Sequence, residues 1–147
     1  MPNILIKVPT GAFNLPQRHQ LLRSVSDVAM INEHMGDAPQ QRMLCWVLIE
    51  EVQADQWLCG GVAPHAQVVP CMVIVKVPAG VLDAPMRQRY VSELHGTLQS
   101  NLAAGDQRRL LSSIQIEEVV DGTWGANGEI WHLADFTRAA GYGHLAD

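Results

Sequence analysis

One short phrase occurs twice in the chain. Ile6-Lys7-Val8-Pro9-Thr10-Gly11 returns as Val75-Lys76-Val77-Pro78-Ala79-Gly80, 69 residues on. The same spacing carries Pro16 to Pro85, Arg18 to Arg87 and Gly36-Asp37 to Gly105-Asp106. It then falls to 67, which carries Arg42 to Arg109, Ile49-Glu50-Glu51-Val52 to Ile116-Glu117-Glu118-Val119 and Trp57 to Trp124. A two-residue loop difference between Gly36 and Arg42 accounts for the change. Repeated units of this size are single supersecondary elements that bury their apolar faces against each other. The 147 residues therefore read as one domain made of two units, at about 1–61 and 70–129. A link at 62–69 joins the units, and 130–147 forms a tail.

Each unit reads strand, helix, strand, turn. Residues 3–8 and 72–77 are apolar and β-branched, and Pro9 and Pro78 stop them. Their near-continuous hydrophobicity suits strands buried on both faces. Asn14 and Asp83 can cap the helices, with Pro16 and Pro85 in the first turn. Leu21, Val25, Val28 and Ala29 then share one helical face, as do Tyr90, Val91, Leu94 and Leu98. Gly36 and Gly105 stand where C-cap glycines belong. Residues 44–52 and 110–120 read as second strands, parallel to the first through right-handed crossovers. Trp57-Leu58-Cys59-Gly60-Gly61 and Trp124-Gly125-Ala126-Asn127-Gly128 read as turns or short hairpins. The expected class is α+β: a four-stranded sheet with two helices on one face. The bare face is expected to pack against other subunits.

Composition removes several partners. The net charge is -5, and the densest basic spots are Arg87/Arg89 and Arg108/Arg109, so nucleic acid is not expected. The longest apolar run, residues 68–75, ends at Lys76 and is far short of the roughly 20 residues of a membrane span. The first residues do not read as a signal peptide. Cys45, Cys59 and Cys71 form no C-x-x-C pair, so neither disulfides nor zinc are expected and a cytoplasmic setting is. His19, His34, His65, His95 and His144 show no metal-ligand spacing. No Gly-rich phosphate loop occurs, and no cofactor is expected.

Two features carry a resemblance: Pro2 at the head of a strand, and the Trp57-to-Gly61 turn at its distance after it. Residues 1–129 thereby resemble the tautomerase superfamily, 4-oxalocrotonate tautomerase-like. As a two-unit chain it resembles fused members such as cis-3-chloroacrylic acid dehalogenase, malonate semialdehyde decarboxylase and macrophage migration inhibitory factor. The resemblance implies that Met1 is trimmed and that Pro2 becomes a secondary amine. Burial at the strand head lowers the pKa of such an amine and makes it a usable general base. The implied activity is an isomerase that moves a proton on a small enolisable 2-oxo acid, in a homotrimer. The alternatives are a dehalogenase/hydratase or decarboxylase using the same proline, or a non-catalytic binding or scaffold protein with the same fold. Trp57 is implied as the apolar wall of the amine.

The family's carboxylate-binding arginines have no counterpart here. Ala12 follows Gly11, Val81 follows Gly80, and Trp46 and Ser113 open the second strands. Arg42 and Arg109 are the first candidates to replace them, then Arg87 and Arg89. Glu51, of the repeated acidic pairs, is a candidate to hold a substrate hydroxyl. Cys71 occupies the place of Pro2 in the second unit, but its nitrogen is an amide, so one amine site per chain is expected. An apolar strand start makes Cys71 an inert core thiol. Lys7 and Lys76 are out of phase with Pro2 and point to the other sheet face. Trp124 is expected to pack, and the Trp131-His132 tail to cover a neighbour's pocket or seal a subunit interface.

Overall fold

The computed structural model describes residues 1–146. A four-stranded sheet has the order β2-β1-β3-β4: β1 Asn3–Pro9, β2 Trp46–Val52, β3 Val68–Pro78 and β4 Arg109–Val119. β1 pairs in parallel with β2, and β3 in parallel with β4, across helices α1 (Leu15–Asn32) and α3 (Ala84–Ser100). The central pair β1/β3 is antiparallel, with Asn3 opposite Lys76 and Lys7 opposite Met72. This is the expected α+β sheet. Its two β-α-β units meet through the antiparallel β1/β3 pair, so the end of β4 lies at the same end of the sheet as the head of β1, with the end of β3 between them. The short helix α2 is Pro39–Arg42.

Alternation decides the two faces. Ile4, Ile6 and Val8 of β1, and Val69, Cys71, Val73, Val75 and Val77 of β3, are buried beneath the helices. The helices answer with Leu21, Val25 and Ala29, and with Tyr90, Leu94 and Leu98. Each such aliphatic side chain contributes about 2 kcal/mol by leaving water. Asn14 caps α1 in a reciprocal box: its side chain accepts from Gln17 N at 2.9 Å, and the Gln17 side chain accepts from Asn14 N at 2.7 Å. Asp83 caps α3, accepting from Met86 N at 2.7 Å. β3 starts earlier than expected and contains Pro70. Pairing with β1 ends at Met72, so the missing N–H of Pro70 faces no strand on that side.

The helix ends and the tail differ from the sequence reading. Gly36 does not terminate α1; His34 takes the left-handed turn instead, at φ 53°. Gly36 serves a close approach, because a Cβ there would strike the Gln41 side chain. Its N–H donates to Ala140 O at 2.9 Å. The tail folds onto its own chain: Glu129–Trp131 (β6) pairs with Trp124–Ala126 (β5) in a hairpin, and Leu133–Ala140 form helix α4. Asn127 and Gly128 both have positive φ, the signature of a two-residue hairpin turn. α4 buries Phe136 and Ala140 on the chain's own core. Gly141 ends α4 at φ 68°, and Gly143 N donates to His34 O at 3.1 Å. Together these bonds tie Tyr142 to the end of α1. No helix among the described residues is long and apolar enough to cross a membrane.

Gly141→Ala should cost about 1–2 kcal/mol, because alanine pays for the left-handed turn and meets Gln41. Chemical denaturation checks this. An unchanged midpoint would show that the tail is not held by that turn.

Candidate active site at the head of the first strand

Glu33 is the residue at which α1 stops. Its N–H donates to Ala29 O at 2.9 Å, and its side chain points into the core with 0 % exposure. Two tyrosines meet it. Tyr90 comes from the buried face of α3 and donates to Oε1 at 3.1 Å. Tyr142 comes from the tail and donates to Oε2 at 3.2 Å. The Met1 ammonium completes the group: it donates to the Tyr142 hydroxyl and lies 3.8 Å from Glu33 Oε2. Met1 itself is only 5 % exposed.

Burial sets the electrostatics. Desolvation pushes the Glu33 carboxyl up to about 7, against the pull of the ammonium and the two phenols. Desolvation brings the Met1 amine down to about 6, although Glu33 opposes the shift. Burial and the Glu33 charge raise both tyrosines, so they remain protonated donors. Acid and amine therefore compete for a proton near neutrality, the range in which general acid-base chemistry works best.

A cavity of about 430 Å³ opens beside Met1. Trp46, Trp124 and Trp131 give it an aromatic wall, and Asn3, Gln40 and Asn127 its polar points. Trp46 is placed by its backbone N–H, which donates to Pro2 O at 3.0 Å, and by its indole, which donates to Met43 O at 2.9 Å. Trp124 and Trp131 face each other across the hairpin, and each packs on Phe136 with ring centroids 5.3 Å apart. The buried Asn3 Oδ1 has no protein partner. No Lys or Arg lines this cavity. A larger groove of about 640 Å³ along α4 has no acid, phenol or thiol in its lining.

The residues singled out from sequence are spread along the sheet. Pro2 is buried between Met1 and β1, and its neighbours Met1 and Asn3, not Pro2 itself, line the cavity. Trp57 follows the far end of β2, beside Pro9, and does not line the cavity. Arg42 lies on the surface and is held by Asp27, at 2.6 Å, and by Asp37. Arg109 opens β4 opposite Val68, also at the far end. Glu51 accepts from Gly11 N at 3.1 Å and Arg18 at 3.0 Å, stitching the loop after β1. The chain by itself brings none of these four to Pro2. Lys7 and Lys76 do face the open side, paired with Glu50 and Glu117. Burial pushes the Cys71 thiol up to about 12, which keeps it protonated and inert. His132 pairs with Asp121 at 2.9 Å on the surface.

Sequence reasoning passed over Glu33, Tyr90, Tyr142 and the Trp124 wall. The repeat holds a signal for two of them. At the 69-residue spacing Glu33 matches Leu102 and Tyr90 matches Leu21, so a polar group replaces an apolar one once in each unit. Trp124 reaches the cavity beside Met1 and Asn3 because β4 ends at the same end of the sheet as the head of β1.

A scan against protein-family models finds no match, and no curated protein matches by sequence. Solved structures do match. A fused 4-OT solved as an asymmetric trimer is 18 % identical, with TM-score 0.69, covering 87 % of this chain and 94 % of that one. A fused 4-OT solved as a symmetric trimer is 15 % identical, with TM-score 0.70, covering 94 % and 98 %. Macrophage migration inhibitory factor from Toxoplasma gondii is 11 % identical, with TM-score 0.65, covering 88 % and 99 %. The chain has the tautomerase fold. At these identities the likeness establishes the tautomerase architecture and assigns no activity.

The pH dependence of stability tests the placement of Glu33. Its folded pKa lies above its unfolded value of 4.5. The folded state thus holds a proton that the unfolded chain releases between pH 4.5 and about 7, and stability falls as pH rises through that window. Wild type should lose stability relative to Glu33→Gln between pH 5 and pH 7 in denaturant titrations. Parallel pH profiles would contradict the buried carboxyl.

Proposed function

We propose that the chain is a cofactor-independent tautomerase in which Pro2, exposed by removal of Met1, acts as general base on a small enolisable 2-oxo acid or similar carbonyl compound. One observation carries this reading. At the head of β1 in a tautomerase fold, Pro2 is buried, and the Met1 that precedes it sits against an acid-phenol group and lines an aromatic cavity. Such a site favours the neutral amine, which can take a proton from carbon and return it to another carbon. Trp46, Trp124 and Trp131 would exclude water from that transfer.

The reading includes a homotrimer. Fused 4-OT structures are trimers. On the open sheet face of this chain, Trp46 and Leu48 are each 55 % exposed and Leu111 is 45 % exposed. That apolar stripe suits burial against two further copies. Trp46 belongs both to the stripe and to the cavity, so the mouth of the site would lie at a subunit boundary.

A second reading, a binding protein without catalysis, is favoured by the absence of Lys and Arg from the cavity lining. Ketonisation of phenylenolpyruvate separates the two. Wild type lacking Met1 should exceed the buffer rate, and Pro2→Ala should lose about 100-fold or more. A wild-type rate equal to buffer would favour the binding protein. Equal rates in the two proteins would remove Pro2 from the mechanism. A related structure, Pt0534, was solved after inactivation by 2-oxo-3-pentynoate. The same reagent should add its mass to the Pro2 peptide here, and labelling elsewhere would count against Pro2. Sedimentation should return three chains per particle, and a lone monomer would contradict the assembly.

A further inference from the structure

We infer that the seat filled by Met1 is the oxygen-binding subsite for substrate, built from Glu33, Tyr90 and Tyr142, and that it takes the neutral carbonyl oxygen of an enolisable ketone or aldehyde. The inference rests on the reading of Pro2 as the amine exposed when Met1 is lost.

The geometry is already that of a ligand site. Met1 is almost completely enclosed, yet its amine end is held by polar side chains rather than by apolar contacts alone. Removing the residue uncovers the acceptor side of the Tyr142 hydroxyl and one oxygen of Glu33. It leaves this opening between them and Pro2. These groups come from three separate elements: the end of α1, the face of α3 and the tail beyond α4. Tyr142 reaches the seat through the left-handed turn at Gly141 and the bonds that tie the tail to α1.

The donor set selects the ligand. With Glu33 protonated, its carboxyl donates to the Tyr142 oxygen, and the Tyr142 hydroxyl is free to donate outward. A carbonyl oxygen accepts that bond. A carboxylate in the same place would meet Glu33 with no cation to offset it. The Arg89 guanidinium, on α3, donates to Asn32 Oδ1 at 2.9 Å rather than entering the seat. The missing family arginines and the buried acid thus have one explanation: the oxygen is bound by neutral donors, which a water-poor site makes strong.

The proton steps balance. Pro2 nitrogen takes the α-proton, and the C–H pair becomes the C=C of the enol. The carbonyl oxygen takes the Tyr142 proton, and Glu33 gives its own to Tyr142. Returning the Pro2 proton to carbon reverses each step, and Glu33 regains its proton.

Calorimetric titration tests the seat without needing turnover. The ligands are phenylacetone and phenylpyruvate, which differ in the carboxylate. The proteins are wild type without Met1, wild type retaining Met1 through inhibition of methionine aminopeptidase during expression, Tyr142→Phe and Glu33→Gln. Phenylacetone should bind the trimmed chain at least as tightly as phenylpyruvate. Its affinity should fall tenfold or more in the Met1-bearing chain and in Tyr142→Phe. Glu33→Gln should bind but lose the pH dependence seen in wild type between pH 6 and pH 8. Four results would overturn the inference: no binding to the trimmed chain, equal affinity with and without Met1, equal affinity in Tyr142→Phe, or a tenfold preference for phenylpyruvate. Binding without turnover would keep the seat and remove the Pro2 mechanism.

Discussion

A buried carboxylate with no arginine or lysine beside it organises this molecule. Taking such a group from water costs several kcal/mol unless donors replace the lost hydration. Glu33 is satisfied by two phenols and the amine end of the chain. Each of those donors has a structural cost of its own. Tyr90 places a hydroxyl in the middle of the apolar face of α3. Tyr142 requires a whole tail, with its helix and its left-handed turn, to fold back on the end of α1. The amine requires the head of β1 to be buried.

This constraint explains why two similar units are not equivalent. Both supply a parallel strand pair and a helix, and the sheet could be built from either sequence. Only the first has a carboxylate at the end of its helix; the second has Leu102. The second unit instead lends support: Tyr90 from its helix and Trp124 from the hairpin after its last strand. The antiparallel β1/β3 join makes that exchange possible, since it places the end of one unit over the start of the other. Cys71, at the place of Pro2 in the second unit, is left as a core residue.

The elements were legible because their signals are local. Strand runs stopped by Pro9 and Pro78, caps at Asn14 and Asp83, and the alternation that turns Lys7 and Lys76 outward depend on neighbours in sequence. Gly36 was misread because its small size serves the docking of the tail, while His34 carries the turn. Within the chain Trp57 lies past the far end of β2, and Trp124 lines the cavity at the head of β1, a placement set by the sheet topology and not by spacing along one unit. Phe136, Ala140 and Tyr142 lie at helical and capping spacings that suited a covering tail equally well. Glu33 carries no local sign of burial. A carboxylate at a helix end usually meets solvent, and only the assembled core shows otherwise.

The central claim is that Pro2, once Met1 is gone, carries a basic amine beside the buried Glu33 group. It is tested most directly by nitrogen NMR of chain labelled at proline, with Met1 removed. The account predicts one proline nitrogen that titrates well below the range of an exposed amine, and lower still in Glu33→Gln, where the carboxylate no longer favours the ammonium. A Pro2 nitrogen that titrates as an exposed amine does, or that ignores the Glu33 substitution, would contradict it.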